Sequence, residues 1–507
     1  MIAKGNNRMR AAFVAGALLA AAPFAAGQQA TSTLSEAPTA PIAQQAEPIV
    51  RPAPTPTDSS QPPRQLTLED AIALALRNNL GVLVAGTQIQ EDEGARIRAQ
   101  APLLPDVTGH IYANRQDVNL HALGFNFMIP GVTIPSIIGP FNNFDFRAYA
   151  SQTIVNRQET HTLRASEDTK DAAKLDYQDT RDQVVRETAA LYLTAQEAEA
   201  QVESTSSRVD TSVAMEKLSR DQHAVGLATA VDILRAQVQL SRDRQAVLEA
   251  QNNYETSLIA LARYMGLAPG TPLELSDPLE FHALPAPDIE PALAQALEAR
   301  SDYRALAEQR EAIIERQKAS HARYYPTFGA NGDYGAIGDS LAHMPATFLV
   351  QATLSVTLFD RDRTGERIEL DSQLNQINDQ IADMARGIEQ DLRTALLNLK
   401  SAEDQVTIAQ QSLDLAQQEL TLAEDRFRNG LTDNIEVITA QDSVAQADDD
   451  RIVALAQHAD AQMALARAMG GTEADFRNYL GAPAPANSVS PQAAAPTVPA
   501  NPAAGAP

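Results

Sequence analysis

Leu218-Ser219-Arg220-Asp221-Gln222-His223-Ala224-Val225-Gly226-Leu227-Ala228-Thr229 opens a stretch that runs on to Gly266, and the sequence carries it twice. Moved by 204 positions, it lies on Leu422 to Gly470 without a gap. Gly226-Leu227 falls on Gly430-Leu431, Ala236-Gln237 on Ala440-Gln441, Ala260-Leu261-Ala262-Arg263 on Ala464-Leu465-Ala466-Arg467, and Met265-Gly266 on Met469-Gly470. A fixed long offset with matching punctuation is an internal repeat, and it constrains every later reading of the fold. Each copy has a glycine near its start, then about forty residues without Gly or Pro, then a Met-Gly stop. This predicts a tight turn followed by one long helix ended by a C-terminal glycine.

The rest of the composition fits long helices better than a large globular core. Aromatics make up 5% of the 507 residues and Trp is absent, while 44% of the chain is hydrophobic. There is no Cys, so neither a disulfide framework nor thiolate chemistry is available. A net charge of −25 argues against a nucleic-acid partner, whose phosphates need Lys and Arg to neutralise them. It suits an acidic, water-filled surface.

The two ends read differently from the middle. Lys4, Arg8 and Arg10 precede an apolar run from Ala11 to Ala22 and the small residues Ala25-Ala26-Gly27. That order predicts a secretory signal over residues 1–27, cut before Gln28 and, with no Cys following, carrying no lipid anchor. Residues 28–65 and 481–507 are rich in Pro and Ala and are expected to be disordered. The ordered chain is then 66–480, divided as a first repeat over 66–270, a connection over 271–288 and a second repeat over 289–480. No run of eighteen apolar residues occurs in it, so no transmembrane helix is expected.

Within each repeat the order of elements can be read off. Leu68-Glu69-Asp70-Ala71-Ile72-Ala73-Leu74-Ala75-Leu76 predicts a helix to about Gln100, stopped by Pro102 and Pro105. Ile289-Glu290-Pro291-Ala292-Leu293 starts its counterpart, which ends at Pro326. Here the offset is 221, since Glu69 maps to Glu290 and Pro105 to Pro326, so copy one carries 17 extra residues after its first helix, around Asn119 to Pro140.

Strands flank that insertion. Ala346, Phe348, Val350, Ala352, Leu354, Val356 and Leu358 occupy every even position, with Thr347, Leu349, Gln351, Thr353, Ser355 and Thr357 between them. This period of two puts apolar side chains on one face. Copy one agrees through Phe144, Phe146, Ala148, Ala150 and Ile154 against Asp145, Arg147, Ser151 and Thr153, with Tyr149 and Gln152 out of pattern. Shorter partners precede both: Val107, Gly109, Ile111, Ala113, and Phe328, Ala330, Gly332, Tyr334. Thirteen of the 24 Phe and Tyr fall in these two regions, which points to a membrane-spanning barrel wall rather than a half-buried sandwich sheet. The spacing Gly329, Gly332, Gly335, Gly338 lacks the setting of a phosphate loop and reads as a flexible strand end running into a loop.

After each strand pair comes a very long helix. In copy two the apolar positions are Leu374, Ile377, Ile381, Met384, Ile388, Leu392, Ala395, Leu399, Ala402, Val406, Ala409, Leu413, Ala416, Leu420, Ala423 and Phe427. Steps of three and four alternate with one extra four after Ile388, which is a coiled-coil seam with a single stutter. Copy one matches it with Val184, Thr188, Leu191, Ala195, Ala198 and Val202. From Asp362 to Arg428 such a helix is about 100 Å long. It belongs to an extended helical tube or rod. Four strands per chain cannot close a barrel, and an open edge is not tolerated in lipid, so strands must come from further copies of the chain.

This arrangement resembles the TolC-like outer-membrane efflux protein family. The likeness covers residues 66–480, and rests on the duplicated order, on Leu66-Thr67-Leu68-Glu69-Asp70-Ala71, and on two turns. The turns are Val225-Gly226-Leu227-Ala228-Thr229 and Asn429-Gly430-Leu431-Thr432-Asp433. The resemblance implies a mixed α/β membrane protein: a homotrimer whose twelve-stranded barrel, four strands per chain, continues as a coiled-coil periplasmic tunnel. It implies outer-membrane lipid, a periplasmic adaptor (membrane fusion) protein docking on the tips, and an inner-membrane transporter as partners. By the same resemblance Val225, Gly226, Leu227, Thr229, Asn429, Gly430, Leu431 and Thr432 are the docking tips. Glu436, Asp232 and Asp433 then belong to the periplasmic aperture, where three copies of Glu436 would form one acidic ring. Thr439 carries no acid for a second ring. Phe427 and Thr432 stand where the best-known member has Tyr and Arg, so a closing latch must be built otherwise.

The function expected is a passive export duct. No nucleophile elbow or phosphate loop occurs, and the eight His lack metal-ligand spacing, so no enzyme, cofactor or metal site is expected. A periplasmic coiled-coil scaffold without a pore is the alternative, and the aromatic strands separate the two.

Overall fold

The computed structural model describes residues 64–124 and 135–480, all within the unit that begins at Pro54. The expected signal 1–27, the linker up to residue 63 and the tail 481–507 lie outside the described residues, as do residues 125–134 of the extra segment. The described chain begins with a short strand, β1 (Arg64–Leu66), so Arg64 and Gln65 belong to a strand rather than to the linker. Copy one follows as α1 (Leu68–Asn78), α2 (Leu80–Gln100), a single 3-10 turn (Ala101–Leu103), β2 (Asp106–Asn119), β3 (Ile137–Val155), α3 (Arg157–Ala224) and α4 (Ala230–Tyr264). After β4 (Leu273–Leu275), copy two repeats the order as α5 (Ile289–Ala299), α6 (Ser301–Ala322), β5 (Thr327–Gly338), β6 (Ala346–Ser355), α7 (Asp362–Arg428) and α8 (Asn434–Met469). A last helix, α9 (Thr472–Leu480), follows.

The single first helix expected in each copy is two helices. The break comes at Asn79 and again at Arg300, both in extended backbone, 221 positions apart like the rest of this region. At Asn79 the side chain accepts from Gly81 N at 2.8 Å, while its Nδ2 donates to Tyr264 O at 3.0 Å. Side-chain bonding of this kind offers the backbone an alternative to continuing the helix. The same break receives the end of the repeated helix. Gly266 and Gly470 both have left-handed φ, +73° and +84°, and a Cβ on them would collide with Asn78 and Arg300 respectively. The duplication thus extends to the joint between the first and last helices of each copy.

α3 and α7, of 68 and 67 residues, are each about 100 Å long. The seam read from the sequence faces inward: Ile377, Ile388, Leu392, Ala395, Leu399, Ala402, Val406, Ala409, Leu413, Ala416, Ala423 and Phe427 are buried. One core gathers both ends of the repeats, with Leu66, Val185, Tyr192, Leu261, Met265, Leu275, Met463 and Phe476 in contact. Strands β1 and β4 pair in parallel at its edge, and the Tyr192 hydroxyl lies 3.0 Å from Leu66 O. Among the described residues no helix is long and apolar enough to cross a membrane.

The second sheet has the order β2-β3-β5-β6, antiparallel throughout, so β2 and β6 are its edges. β6 stops at Ser355, three residues before the alternation does, because its last partner is Thr327 and Pro326 before it has no N–H to donate. A register shift between Thr153 and Val155 takes Ile154 out of the even face. The four spaced glycines lie inside β5 and are not a loop. A Cβ on Gly332 would stand 2.7 Å from Leu349 O, and one on Gly335 2.6 Å from Arg147 Cα. Close backbone approach by both neighbouring strands is what they permit.

Candidate functional site

Two parts of the chain stand out once its elements are placed: the faces of the four-stranded sheet, and the two helical turns. On the sheet, cross-strand register carries the sequence alternation through all four strands. Gly109, Ala148, Tyr334 and Phe348 form one row, and Ile111, Phe146, Ala336 and Ala346 the next. Val107, Ala150, Gly332 and Val350 continue the same face. Phe348 is 77% exposed and Val350 81%, and Val107, Ile111, Tyr334 and Leu354 are exposed with them.

The opposite face is built of ions and hydrogen bonds. Arg147 Nε and Nη2 donate to both oxygens of Asp145, at 2.8 and 2.6 Å, and Nη1 reaches Asp333 at 3.3 Å. Asp145 is fully buried. Tyr149, which broke the sequence pattern, stands on this polar face with its ring edge-on to His110 at 5.0 Å and Arg147 over it. Gln152, the other exception, stands on the apolar face in register with Ala330 and Ala352, and its amide donates to Leu103 O at 2.9 Å. The sheet is inside out relative to a water-soluble one, whose charged groups face solvent and whose apolar face is covered.

The turns come at the far ends of α3 and α7. Gly226 and Gly430 have φ of +80° and +68°, a backbone that only glycine adopts readily. Both turns close the same way. Leu227 N donates to Gln222 O and Leu431 N to Arg426 O, each at 2.9 Å, and the glycine N–H bonds the carbonyl three residues back. These satisfy carbonyls that the helix end would leave free. Apolar side chains remain outward at both turns: Val225 is 70% exposed and Leu431 71%, with Leu227 exposed beside them.

The next helices start on side-chain caps. Thr229 N and Oγ1 both donate to Asp232 Oδ2 at 2.7 Å, and Asp433 accepts from Ile435 N at 3.2 Å. Asp232 is therefore buried and committed to the start of α4, with Arg235 3.4 Å away. Asp433 remains exposed, 3.9 Å from the same arginine. The two tips are joined by polar bonds. Asn434, fully buried, donates from Nδ2 to Asp232 O at 2.6 Å, and Gln222 Nε2 donates to Arg428 O at 3.2 Å. Asn434 and Gln222 had no distinguishing signal in the sequence beyond lying beside the turns.

Phe427 is buried in the tip core with Met215, Ala423, Val437 and Ala440. Its missing hydroxyl is explained by packing, since a phenol there would need a partner in an apolar setting. Glu436 is not a free carboxylate: Arg426 Nη1 is 2.5 Å from its Oε1, and Thr432 Oγ1 donates to its Oε2 at 2.6 Å. Thr439 bonds its own helix at Ile435 O. Farther up, a small polar layer lies between the helices. Ser212 Oγ donates to Asp243, and Gln239 Nε2 lies 3.3 Å from Asp243 and 3.2 Å from Asp442. Burial, and then the Asp243 charge, raise the Asp442 pKa above the ordinary carboxylate value. Among the described residues no group of three or more His, Cys, Asp or Glu is placed to hold a metal ion.

Comparison with known proteins adds a family and a set of folds. The model of the outer membrane efflux protein family matches residues 71–267 and 292–471. The toluene efflux pump outer membrane protein TtgC of Pseudomonas putida is 23% identical over 416 residues, covering 80% of this chain and 83% of its own. The CmeC outer membrane channel of Campylobacter jejuni superposes with a TM-score of 0.68 at 16% identity, over 80% of this chain and 86% of its own. The outer membrane protein VceC of Vibrio cholerae does so with a TM-score of 0.68 at 17% identity, over 80% and 96%. At these identities the structural likeness is one of fold.

Proposed function

We infer the role of this chain from the premise that it belongs to the outer membrane efflux protein family. It is an outer-membrane export duct. Material moved by an inner-membrane transporter passes through it to the cell exterior, without chemistry of its own. The observation that carries this reading is the inverted polarity of the β2-β3-β5-β6 sheet. An exposed face of Phe348, Val350, Tyr334, Ile111 and Val107 costs free energy in water and is stable in lipid. The opposite face, with Arg147, Asp145 and Asp333, suits a hydrated lumen. A periplasmic scaffold would have no use for such a sheet.

One copy leaves β2 and β6 unpaired, and lipid does not accept open edges. Three copies joined β6 to β2 give twelve strands and no edge. The helices support the same closure. α7 exposes Ile368, Leu397, Ile408, Leu415 and Leu422, while α2 exposes Leu80, Val84 and Ile97, and α4 exposes Val231, Leu234, Val238, Leu248 and Ile259. In the homotrimer the α7 stripe of one copy covers the α2 and α4 stripes of the next, and the helices continue the barrel as a periplasmic tunnel. Residues 1–27 are the export signal of such a protein, with 28–63 and 481–507 as flanking segments, and, from the last residue of strand β1, 66–270 and 289–480 as its two repeats.

The tips face an adaptor, through Val225, Gly226, Leu227, Thr229, Asn429, Gly430, Leu431 and Thr432. Glu436 and Asp433 line the aperture, with Asp232 setting the geometry behind them. In place of the Tyr and Arg of the family's best-known member, the tip-to-tip bonds of Asn434 with Asp232 O and of Gln222 with Arg428 O hold the entrance. Val225→Asp combined with Leu431→Asp tests the docking role, since neither residue belongs to a buried core cluster. Export measured as resistance to a pumped compound should fall at least about tenfold, a loss of about 1.4 kcal/mol or more in the docking equilibrium. The amount of assembled protein in the outer membrane should not change. Unchanged export would remove the tips from the docking surface.

A further inference from the structure

The second tip carries more than an acid. Arg426, in the last turn of α7, reaches across the turn to Glu436, in the first turn of α8, with Nη1 and Oε1 2.5 Å apart. Thr432 Oγ1 donates to the other carboxylate oxygen at 2.6 Å, so both oxygens of Glu436 are engaged. The other arginines of the tips have partners of their own. Arg428 bonds Glu424 at 2.7 Å and Asp425 at 3.3 Å, and Arg235 lies 3.4 Å from Asp232 and 3.9 Å from Asp433. Arg426 is thus the guanidinium committed to Glu436.

We propose that Arg426 sets the charge selectivity of the periplasmic aperture by cancelling Glu436, so that three copies present three ion pairs instead of three bare carboxylates. The proposal rests on the reading that the second tip lines the conduction path, and goes beyond it by naming a residue that overrides the acidic ring. A ring of unpaired carboxylates concentrates cations at a narrow mouth, because like charges add where water is scarce. A carboxylate with a guanidinium in contact is a dipole, whose field fades within a few ångströms and is further screened by salt. Thr432 holds Glu436 toward the turn and fixes that dipole in place. Arg426 is 55% exposed and Glu436 36%, so the pair contributes little to folding, and either side chain can be changed without loss of structure.

The test is a double-mutant cycle read as reversal potential in planar bilayers across a KCl gradient, using the full-length trimer. Arg426→Gln should raise the potassium-to-chloride permeability ratio by about threefold or more, since it uncovers three carboxylates. Glu436→Gln should lower it by a similar factor, because it leaves three unpaired guanidinium groups. The double variant should return to the wild-type ratio. If Arg426→Gln left the ratio unchanged while Glu436→Gln lowered it, Arg426 would not be cancelling the acid, and the proposal would fail with the aperture reading intact. A double variant that kept the raised ratio of Arg426→Gln, or the lowered ratio of Glu436→Gln, would overturn it in the same way. If none of the three variants moved the reversal potential, the second tip would not line the path, and the aperture reading beneath the proposal would be the one to fall.

Discussion

Phe348→Arg is expected to abolish insertion into the outer membrane, whereas Gln351→Arg, three residues along the same strand, is expected to insert normally. Phe348 stands in the exposed apolar row with Tyr334, Ala148 and Gly109. Gln351 stands on the other face, in register with Asn331 and Ser151. A cationic side chain on the lipid face near the bilayer midplane costs roughly 2–4 kcal/mol, and a threefold assembly meets that cost three times. On the lumen face the same charge is solvated. The measurement is the quantity of each variant in purified outer membranes, as assembled, protease-resistant protein. Equal loss in both would mean that the two faces had been assigned wrongly.

Gly470→Val is expected to prevent folding. Gly470 ends α8 at φ +84°, and a Cβ there would stand 2.8 Å from both the Cγ and the backbone N of Arg300. A left-handed backbone costs a residue with a side chain about 1–2 kcal/mol, and an unrelieved overlap with a buried neighbour about 1–3 kcal/mol more. Arg300 cannot move aside easily, because its guanidinium is fixed by Asp302 at 2.7 Å and by Asp391 at 3.1 Å. Gly94→Ala is the matching control. Nothing lies within 4 Å of its Cβ position, and in mid-helix an alanine is favoured by up to about 1 kcal/mol. Circular dichroism melting of detergent-purified protein should find the control unchanged or slightly raised in Tm, and little or no folded Gly470→Val.

The long elements were legible because their signals are local and repeated many times. The ends of α7 at Asp362 and Arg428 follow from the seam and the turn glycine, and the inward face follows from the three-four spacing. The features that were not legible depend on contacts between distant parts of the chain. The break at Asn79 is held by Tyr264 O, 185 residues away, and propensity alone runs the helix through it. Strands β1 and β4 have three residues each, too few for any period to appear. The glycines of β5 looked like a loosening strand because their cause is the backbone of β3 and β6 beside them.

At the tips the sequence located the turns, and both glycines have the backbone expected of them. It did not reveal what the side chains do there. Asp232 reads as an exposed acid after a turn, yet the capping bonds to Thr229 bury it. Thr229 and Asp232 stand three apart, as a helix-starting pair does, and that spacing was the available signal. The pairing of Arg426 with Glu436 crosses a turn over ten residues, with no periodic pattern to mark it.

The central claim is that three copies of this chain close one barrel and one tunnel. Native mass spectrometry of the full-length protein, extracted in mild detergent from outer membranes, tests it most directly. The account predicts a single dominant species with three chains, since only then are β2, β6 and the exposed stripes of α2, α4 and α7 covered. A population made up of single chains or pairs would contradict it.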